Sequence, residues 1–159
     1  SDIHHVLKLV ESYIDKQYDY VVCLFDMDRL YQFPSEMRLY QRAKKKYSAK
    51  KYAERVIFIE TNPCTEFWFL LHFLPNVVCR RYDSYEQLLP ELQKYMPEYE
   101  KTKRYFKRTN LYKFLTENGD LEIAIQNSEK LCLLSEKTPE DLIAYSEVYK
   151  VIELLRTLQ

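Results

Sequence analysis

A chain of 159 residues holds a single glycine, Gly119, where ordinary composition at roughly 7% would supply about eleven. That scarcity closes the glycine-based routes to phosphate. The dinucleotide fingerprint needs three glycines in six residues, and the triphosphate-binding loop needs two glycines and a lysine. Long apolar runs are also missing: no stretch of about eighteen such residues occurs, so no membrane span is read from the sequence. The four cysteines, Cys23, Cys64, Cys79 and Cys132, form no C-x-x-C pair and sit in apolar surroundings. They read as reduced core thiols of a cytoplasmic protein rather than disulfides or zinc ligands. With neither a G-x-S-x-G elbow nor a Cys-His nucleophile context, acyl transfer finds no support.

What is present is 47% hydrophobic and 30% charged, with 15 tyrosines and no low-complexity tract, the composition of one folded domain over residues 1–159. Twenty-four Lys and Arg balance twenty-four Asp and Glu, so net charge names no partner. Their distribution is more telling. Lys44, Lys45, Lys46, Lys50 and Lys51 form one basic stretch, and Lys101, Lys103, Arg104, Lys107 and Arg108 a second, each interleaved with aromatics, while residues 117–141 are acidic. Two readings stand for the basic stretches: faces suited to polyanions, and solvated helix surfaces.

Ile3, Val6, Leu7, Val10, Tyr13 and Ile14 recur on one face of an opening helix. Tyr20 to Phe25 and Val56 to Ile59 are short apolar runs of strand-favouring residues, expected to be buried on both faces as parallel strands are. With a helix predicted from Glu36 to Tyr52 between them they make a right-handed crossover unit. The class is α/β. Thr65 to Phe73 is apolar almost all round and predicts a buried helix, with His72 as a locally hydrogen-bonded core histidine. Val77 to Cys79 reads as a further short strand. Ser84 with Gln87 forms a capping box for a helix ending near Tyr95. Thr109 caps another helix that stops at Gly119 in a left-handed turn. Helices are expected from Asp120 to Leu133 and from Ser146 to Leu158, with Thr138 to Asp141 as an alternative helix start. Residues 1–83 thus form an α/β core and residues 84–159 a helical extension packed on it.

The chemistry gathers where the two strands end, the side on which α/β sheets bind ligands. Asp26-Met27-Asp28 follows the first strand. Residues two apart in extended chain point the same way, so both carboxylates can face one divalent ion, and an all-oxygen site favours Mg2+ or Mn2+. The alternative is that they cap a helix or sit as solvated turn acids. Glu66 stands in the first turn of the buried helix, where it either completes such a site or complements the helix dipole. Glu60 and Asn62 carry weaker signals.

The blocks "YDYVVCLFDMDRL" at 18–30 and "IETNPCTEFWFLLHF" at 59–73, with "YEKT" at 99–102 and "YSEVYKVIELL" at 145–155 in the same order, resemble the RloB-like family. Its hallmark is matched at Asn62, Pro63, Cys64, Glu66, Trp68, Leu70, Leu71, His72 and Phe73. The resemblance implies a Toprim-like parallel sheet core flanked by helices, in which Asp26 and Asp28 are the D-x-D that binds magnesium and Glu66 is an accessory acid. It also implies bacterial phage defence, or abortive infection, beside a separate ATPase subunit, a division of labour that suits a chain without a triphosphate loop. The family's first strand, with "EGxxTE", has no counterpart here. Either a first segment is missing from the sequence or this member has lost one ligand. At Thr65 the family usually has an aromatic residue, a departure expected to concern packing and capping.

The resulting expectation is a Mg2+-dependent, Toprim-type nuclease subunit. Asp26, Asp28 and Glu66 hold the metal, and the two basic stretches hold the nucleic-acid backbone without reading sequence. One alternative is a non-catalytic subunit that binds a partner or nucleic acid. Another is a haloacid-dehalogenase-like phosphatase with Asp26 as nucleophile and Asp28 as acid, although Leu30 departs from that motif.

Overall fold

The carboxylate of Asp2 accepts the amide of His5 at 3.0 Å and so caps the first helix, satisfying one of the donors that a helix start leaves open. The computed structural model describes residues 2–159. In chain order the elements are α1 (Ile3–Asp15), β1 (Val21–Asp26), α2 (Met27–Gln32), α3 (Pro34–Tyr47), β2 (Val56–Asn62), α4 (Glu66–Leu71), α5 (Tyr85–Leu92), α6 (Lys103–Arg108), α7 (Leu111–Asn118), α8 (Leu121–Lys137), β3 (Tyr145–Ser146) and α9 (Val148–Thr157). Single 3-10 turns occupy Lys50–Tyr52 and Pro139–Asp141. Among the described residues no helix is long and apolar enough to cross a membrane.

The α/β class holds, but the sheet is mixed rather than wholly parallel. β1 and β2 run parallel from Val21 opposite Val56 to Asp26 opposite Thr61. β3 joins the far side of β2 antiparallel, with Thr61 opposite Ser146 and Asn62 opposite Tyr145, and the Thr61 and Ser146 hydroxyls meet at 3.0 Å. Two residues are too few to show alternation, so the sequence assigns this segment to a helix start. Double-sided burial fails for β1, an edge strand. Val21 and Phe25 are buried beneath α1 and α3, whereas Leu24 on the opposite face is 53% exposed. The covered face is an aromatic layer, with Phe25 4.8 Å from Tyr40 and 5.3 Å from Phe58 between ring centres, spacings that favour edge-to-face contact.

Helix α4 is buried as expected: Phe67, Trp68, Leu70 and Leu71 sit in the core with Leu88, Leu92 and Leu131. His72 is a core histidine, its Nδ1 2.9 Å from the Trp68 carbonyl, with burial lowering its pKa. Other boundaries differ. α3 ends at Tyr47, after which left-handed Ala53 and Glu54 turn the chain into β2. β2 runs on to Asn62 and α8 to Lys137. Val77 to Cys79 forms no strand; Val77 is a core residue instead. Gln87 accepts the Asp83 amide at 2.8 Å while the Ser84 hydroxyl makes no capping bond. Thr109 ends α6, and Asn110 caps α7. Burial pushes the Cys23 thiol to about 11 and the Cys132 thiol to about 12, so both stay protonated at neutral pH. Cys79 is exposed, not a core thiol.

Gly119 is extended, at φ −116° and ψ −166°, so a left-handed turn is not why glycine stands there. Close approach is the reason. A Cβ at this position would lie 2.8 Å from the Cβ of His72 and 3.0 Å from the Leu115 carbonyl, neither of which is a flexible chain end.

Glu60 fastens α3, β2 and β3 together. Its Oε2 accepts from Tyr40 of α3, and from Lys44 Nζ at 2.9 Å; its Oε1 accepts from Tyr145 of β3 at 2.6 Å. The Glu60 amide in turn donates to Glu147 at 2.9 Å. Burial alone would raise the Glu60 pKa, but the three donors outweigh it and hold it below its ordinary value.

Two outcomes follow. Gly119→Ala lowers stability by about 1–3 kcal/mol, measured by thermal or urea unfolding; an unchanged midpoint would contradict the close approach to His72. At Glu60 the folded pKa lies below the unfolded one, so its contribution is full above the unfolded value and fades as pH falls through the folded value. Tyr145→Phe therefore costs about 1.5–3 kcal/mol at neutral pH, with a smaller loss at acid pH where the carboxyl is protonated in both proteins. Equal losses at both pH values would show that the Tyr145 hydroxyl stabilises independently of the charge on Glu60.

Candidate functional site

β1 and β2 run side by side and stop together, which brings Asp26 beside Thr61. The Asn62-Pro63 bond is cis, and the Pro63 carbonyl accepts the Asp28 amide at 3.0 Å. The turn after β2 is thereby tied to the start of α2. Asp28 is not in extended chain as the D-x-D spacing predicts. The chain turns helical at Met27 and Asp28 sits in the first turn of α2, so proximity to Asp26 arises from a strand-to-helix turn rather than from strand alternation.

Thr65 fixes Asp26. Its amide and hydroxyl both donate to Asp26 Oδ1, at 2.8 and 2.9 Å, so Thr65 bears on the candidate site more than the expectation of packing and capping allowed. Oδ2 of Asp26 remains for other partners and lies 3.9 Å from Lys101 Nζ. Glu66, the first residue of α4, is 3% exposed. Its Oε1 accepts from the buried Tyr99 hydroxyl at 2.8 Å and faces Lys101 Nζ at 3.3 Å. Its Oε2 is buried with no hydrogen-bond partner, an unusual condition for a carboxylate oxygen removed from water.

Charge in this corner is only partly offset. Burial foremost raises the Asp28 pKa; the Arg29 amide and Lys101 act against it, and the charges of Asp26 and Glu66 add to it. Lys101 shows the converse. Burial disfavours its charge, but Glu66 and Asp26 prevail and raise its pKa. Beside these residues opens a cleft of about 320 Å³ lined by Asp26, Asp28, Arg29, Glu36, Thr65 and Lys101. Arg29 pairs with Glu36 at 3.0 Å, and the second oxygen of Glu36 is also buried without a partner.

Hard oxygen donors and an orphaned buried carboxylate oxygen suit Mg2+ or Mn2+ in donor chemistry. Among the described residues, however, no three His, Cys, Asp or Glu side chains stand together as a ready-made ligand set. One Asp26 oxygen is spent on Thr65, and the ammonium of Lys101 lies 3.9 Å from the other and 3.3 Å from Glu66.

The basic stretches separate. Lys44 is bound to Glu60, Lys46 lies 3.8 Å from Glu11, and Lys51 lies over the Tyr52 ring. Since α3 carries the chain back to the start of β2, Lys45, Lys50 and Lys51 fall toward the opposite end of the strands from Asp26. The second stretch begins at the site itself. Lys101 is part of the acidic cluster, and Lys103, Arg104, Lys107 and Arg108 follow on α6, capped by Thr102 at 3.1 Å from the Tyr105 amide. Arg104 and Arg108 reach Glu100 and Glu98 at 3.6 and 3.9 Å, while Lys103 and Lys107 are exposed.

Tyr99 and the inward role of Lys101 escape motif reasoning. Both lie in the "YEKT" block, whose only sequence signal is its order after the better-defined blocks. A family model described as RloB-like protein matches residues 1–155. No curated protein and no solved structure matches the chain.

Proposed function

The chain belongs to the RloB-like family, and we propose that it serves there as a metal-dependent, Toprim-type nuclease subunit acting on nucleic-acid phosphodiesters. The observation that carries this reading is the buried Glu66, with one oxygen unpartnered, beside Asp26 and Asp28 at the shared end of two parallel strands. Asp26, Asp28 and Glu66 would hold Mg2+ or Mn2+, which when bound activates water and offsets charge on the phosphate.

The rest falls to the chain itself. Thr65 locks the orientation of Asp26, and Tyr99 that of Glu66, in the manner of outer partners that aim metal ligands. Arg29, which lines the cleft, and the cations of α6, which follow Lys101 in the chain, would bind backbone phosphates; Lys44 to Lys51 would serve only a substrate long enough to cross the strands. A cytoplasmic phage-defence role with a separate ATPase subunit belongs to this proposal and rests on the family alone. A non-catalytic, partner- or nucleic-acid-binding subunit is the second reading. It has in its favour Lys101, which already offsets the acids without a metal.

Incubating the full-length protein with Mg2+ or Mn2+ on plasmid and on RNA tests the proposal. Cleavage is expected, with Asp26→Ala and Glu66→Ala each reducing it by at least about 100-fold, the upper range for losing even outer partners of metal ligands. Cleavage unchanged in both variants would remove these residues from the site. Binding without cleavage would favour the second reading, and Asp26-dependent phosphate release from a phosphomonoester would favour a phosphatase.

A further inference from the structure

Glu66 opens helix α4, and His72 closes it beside a groove of about 410 Å³ formed with α7, α8 and α9. Leu115, Leu121 and Ile152 give the groove apolar walls, and Tyr112, 78% exposed, stands at its edge. Two ring nitrogens meet this space. His72 is 5% exposed and Trp68 7%. The Trp68 carbonyl can only accept, so His72 Nδ1, 2.9 Å away, carries the proton, and Nε2 of the neutral ring is a bare acceptor. Burial favours that neutral ring. The indole Nε1 of Trp68 is a donor only. Among the described residues neither Nε2 nor Nε1 makes a hydrogen bond, and neither is shut away from solvent as the orphaned oxygens of Glu36 and Glu66 are. Both therefore open on the groove that the two rings line. With ring centres 4.8 Å apart and edge to face, a donor is set near an acceptor.

Asp120 adds a second acceptor. Its Oδ1 takes the Ile123 amide at 3.1 Å and caps α8, which leaves Oδ2 without a partner among the described residues. The other polar side chains are engaged: Glu122 pairs with Arg156 at 2.5 Å, and the Thr116 hydroxyl donates to the Tyr112 carbonyl at 2.8 Å. Side chains this deeply buried ordinarily have their polar atoms paired, and a cavity of this size with a few convergent polar groups is the usual form of a small-ligand site.

One donor, two acceptors and apolar walls select a planar heterocycle that carries an amino group beside a ring nitrogen. Adenine and cytosine have that edge, whereas uracil and hypoxanthine place a carbonyl where the two acceptors lie. A side-chain carboxamide offers the same polar edge but no ring to cover Leu115 and Ile152. We propose that this groove binds an amino-bearing nucleobase: His72 Nε2 and Asp120 Oδ2 accept from the amino group, Trp68 Nε1 donates to the ring nitrogen, and Tyr112 stacks on the base. The site lies at the other end of α4 from Glu66 and needs no metal. Its base comes either as a free nucleoside or unpaired in a strand.

Trp68 is the only tryptophan of the chain, so its fluorescence reports on the site directly. The full chain is titrated in EDTA, which keeps metal and cleavage out of the measurement, with adenosine, inosine, oligo(dA) and oligo(dI). Adenosine is expected to quench the fluorescence saturably, and inosine to bind at least about ten-fold more weakly, as a lost hydrogen bond to a charged group requires. Asp120→Asn keeps a capping side chain and lowers adenosine affinity about ten-fold. Tyr112→Ala, at an exposed position, lowers it at least about five-fold through lost stacking. His72→Phe keeps a ring, removes the acceptor and abolishes the preference for adenosine over inosine; should it fail to fold, Asp120→Asn must narrow the same preference. Tighter binding of oligo(dA) than of adenosine assigns the site to unpaired bases of a strand, and equal or weaker binding to the free nucleoside, with oligo(dI) lagging oligo(dA) in the first case. Equal affinity for adenosine and inosine, no saturable quenching by any of the four, or an affinity unchanged in both Asp120→Asn and Tyr112→Ala overturns the base site, whatever the nuclease assay shows.

Discussion

Carboxylates withdrawn from water set the terms of this structure, because each must find hydrogen-bond donors or a cation to offset its lost hydration. Tyrosine supplies much of that need. Tyr40 and Tyr145 serve Glu60, Tyr82 serves Glu91 at 2.7 Å, and Tyr99 serves Glu66. A phenol is well suited to this, since its ring packs in the core while its hydroxyl reaches a polar atom. Glu60 is satisfied on both oxygens and joins α3, β2 and β3. Glu66 is satisfied on one only. The difference between these two acids, six residues apart, separates a structural glutamate from a candidate functional one.

The same constraint orders the corner where β1 and β2 end. Thr65 takes one oxygen of Asp26 and Lys101 lies near the other, while Tyr99 and Lys101 share one oxygen of Glu66 and its second oxygen has no partner. Nothing in this arrangement needs glycine. Phosphate chemistry through carboxylate-held metal uses side-chain oxygens rather than a backbone cradle, so a sequence with one glycine is excluded from triphosphate loops and not from nucleic-acid hydrolysis. The lone glycine has a separate role, letting the turn before α8 close on His72.

The sequence makes legible what depends on local pattern. Two apolar runs mark β1 and β2, the all-round apolar segment marks α4, and the acids beside them mark the candidate site. What it hides depends on the fold closing. β3 is two residues long and exists because β2 offers an edge. Asp28 comes near Asp26 through a helical turn, against the extended spacing that its motif suggests. Lys101 reads as one cation in a basic stretch until the turn before α6 points it inward. Leu24 looks like core from composition, but β1 is an edge strand with one open face. Each miss is a case of tertiary context overriding a local rule.

The central claim of the proposed function is that Asp26, Asp28 and Glu66 hold one divalent ion. Anomalous diffraction from crystals of the full chain soaked in Mn2+ tests it most directly. A peak is expected beside the carboxylates of Asp26, Asp28 and Glu66, where hard oxygen donors would hold the ion. No peak there, or a peak only elsewhere, would contradict it.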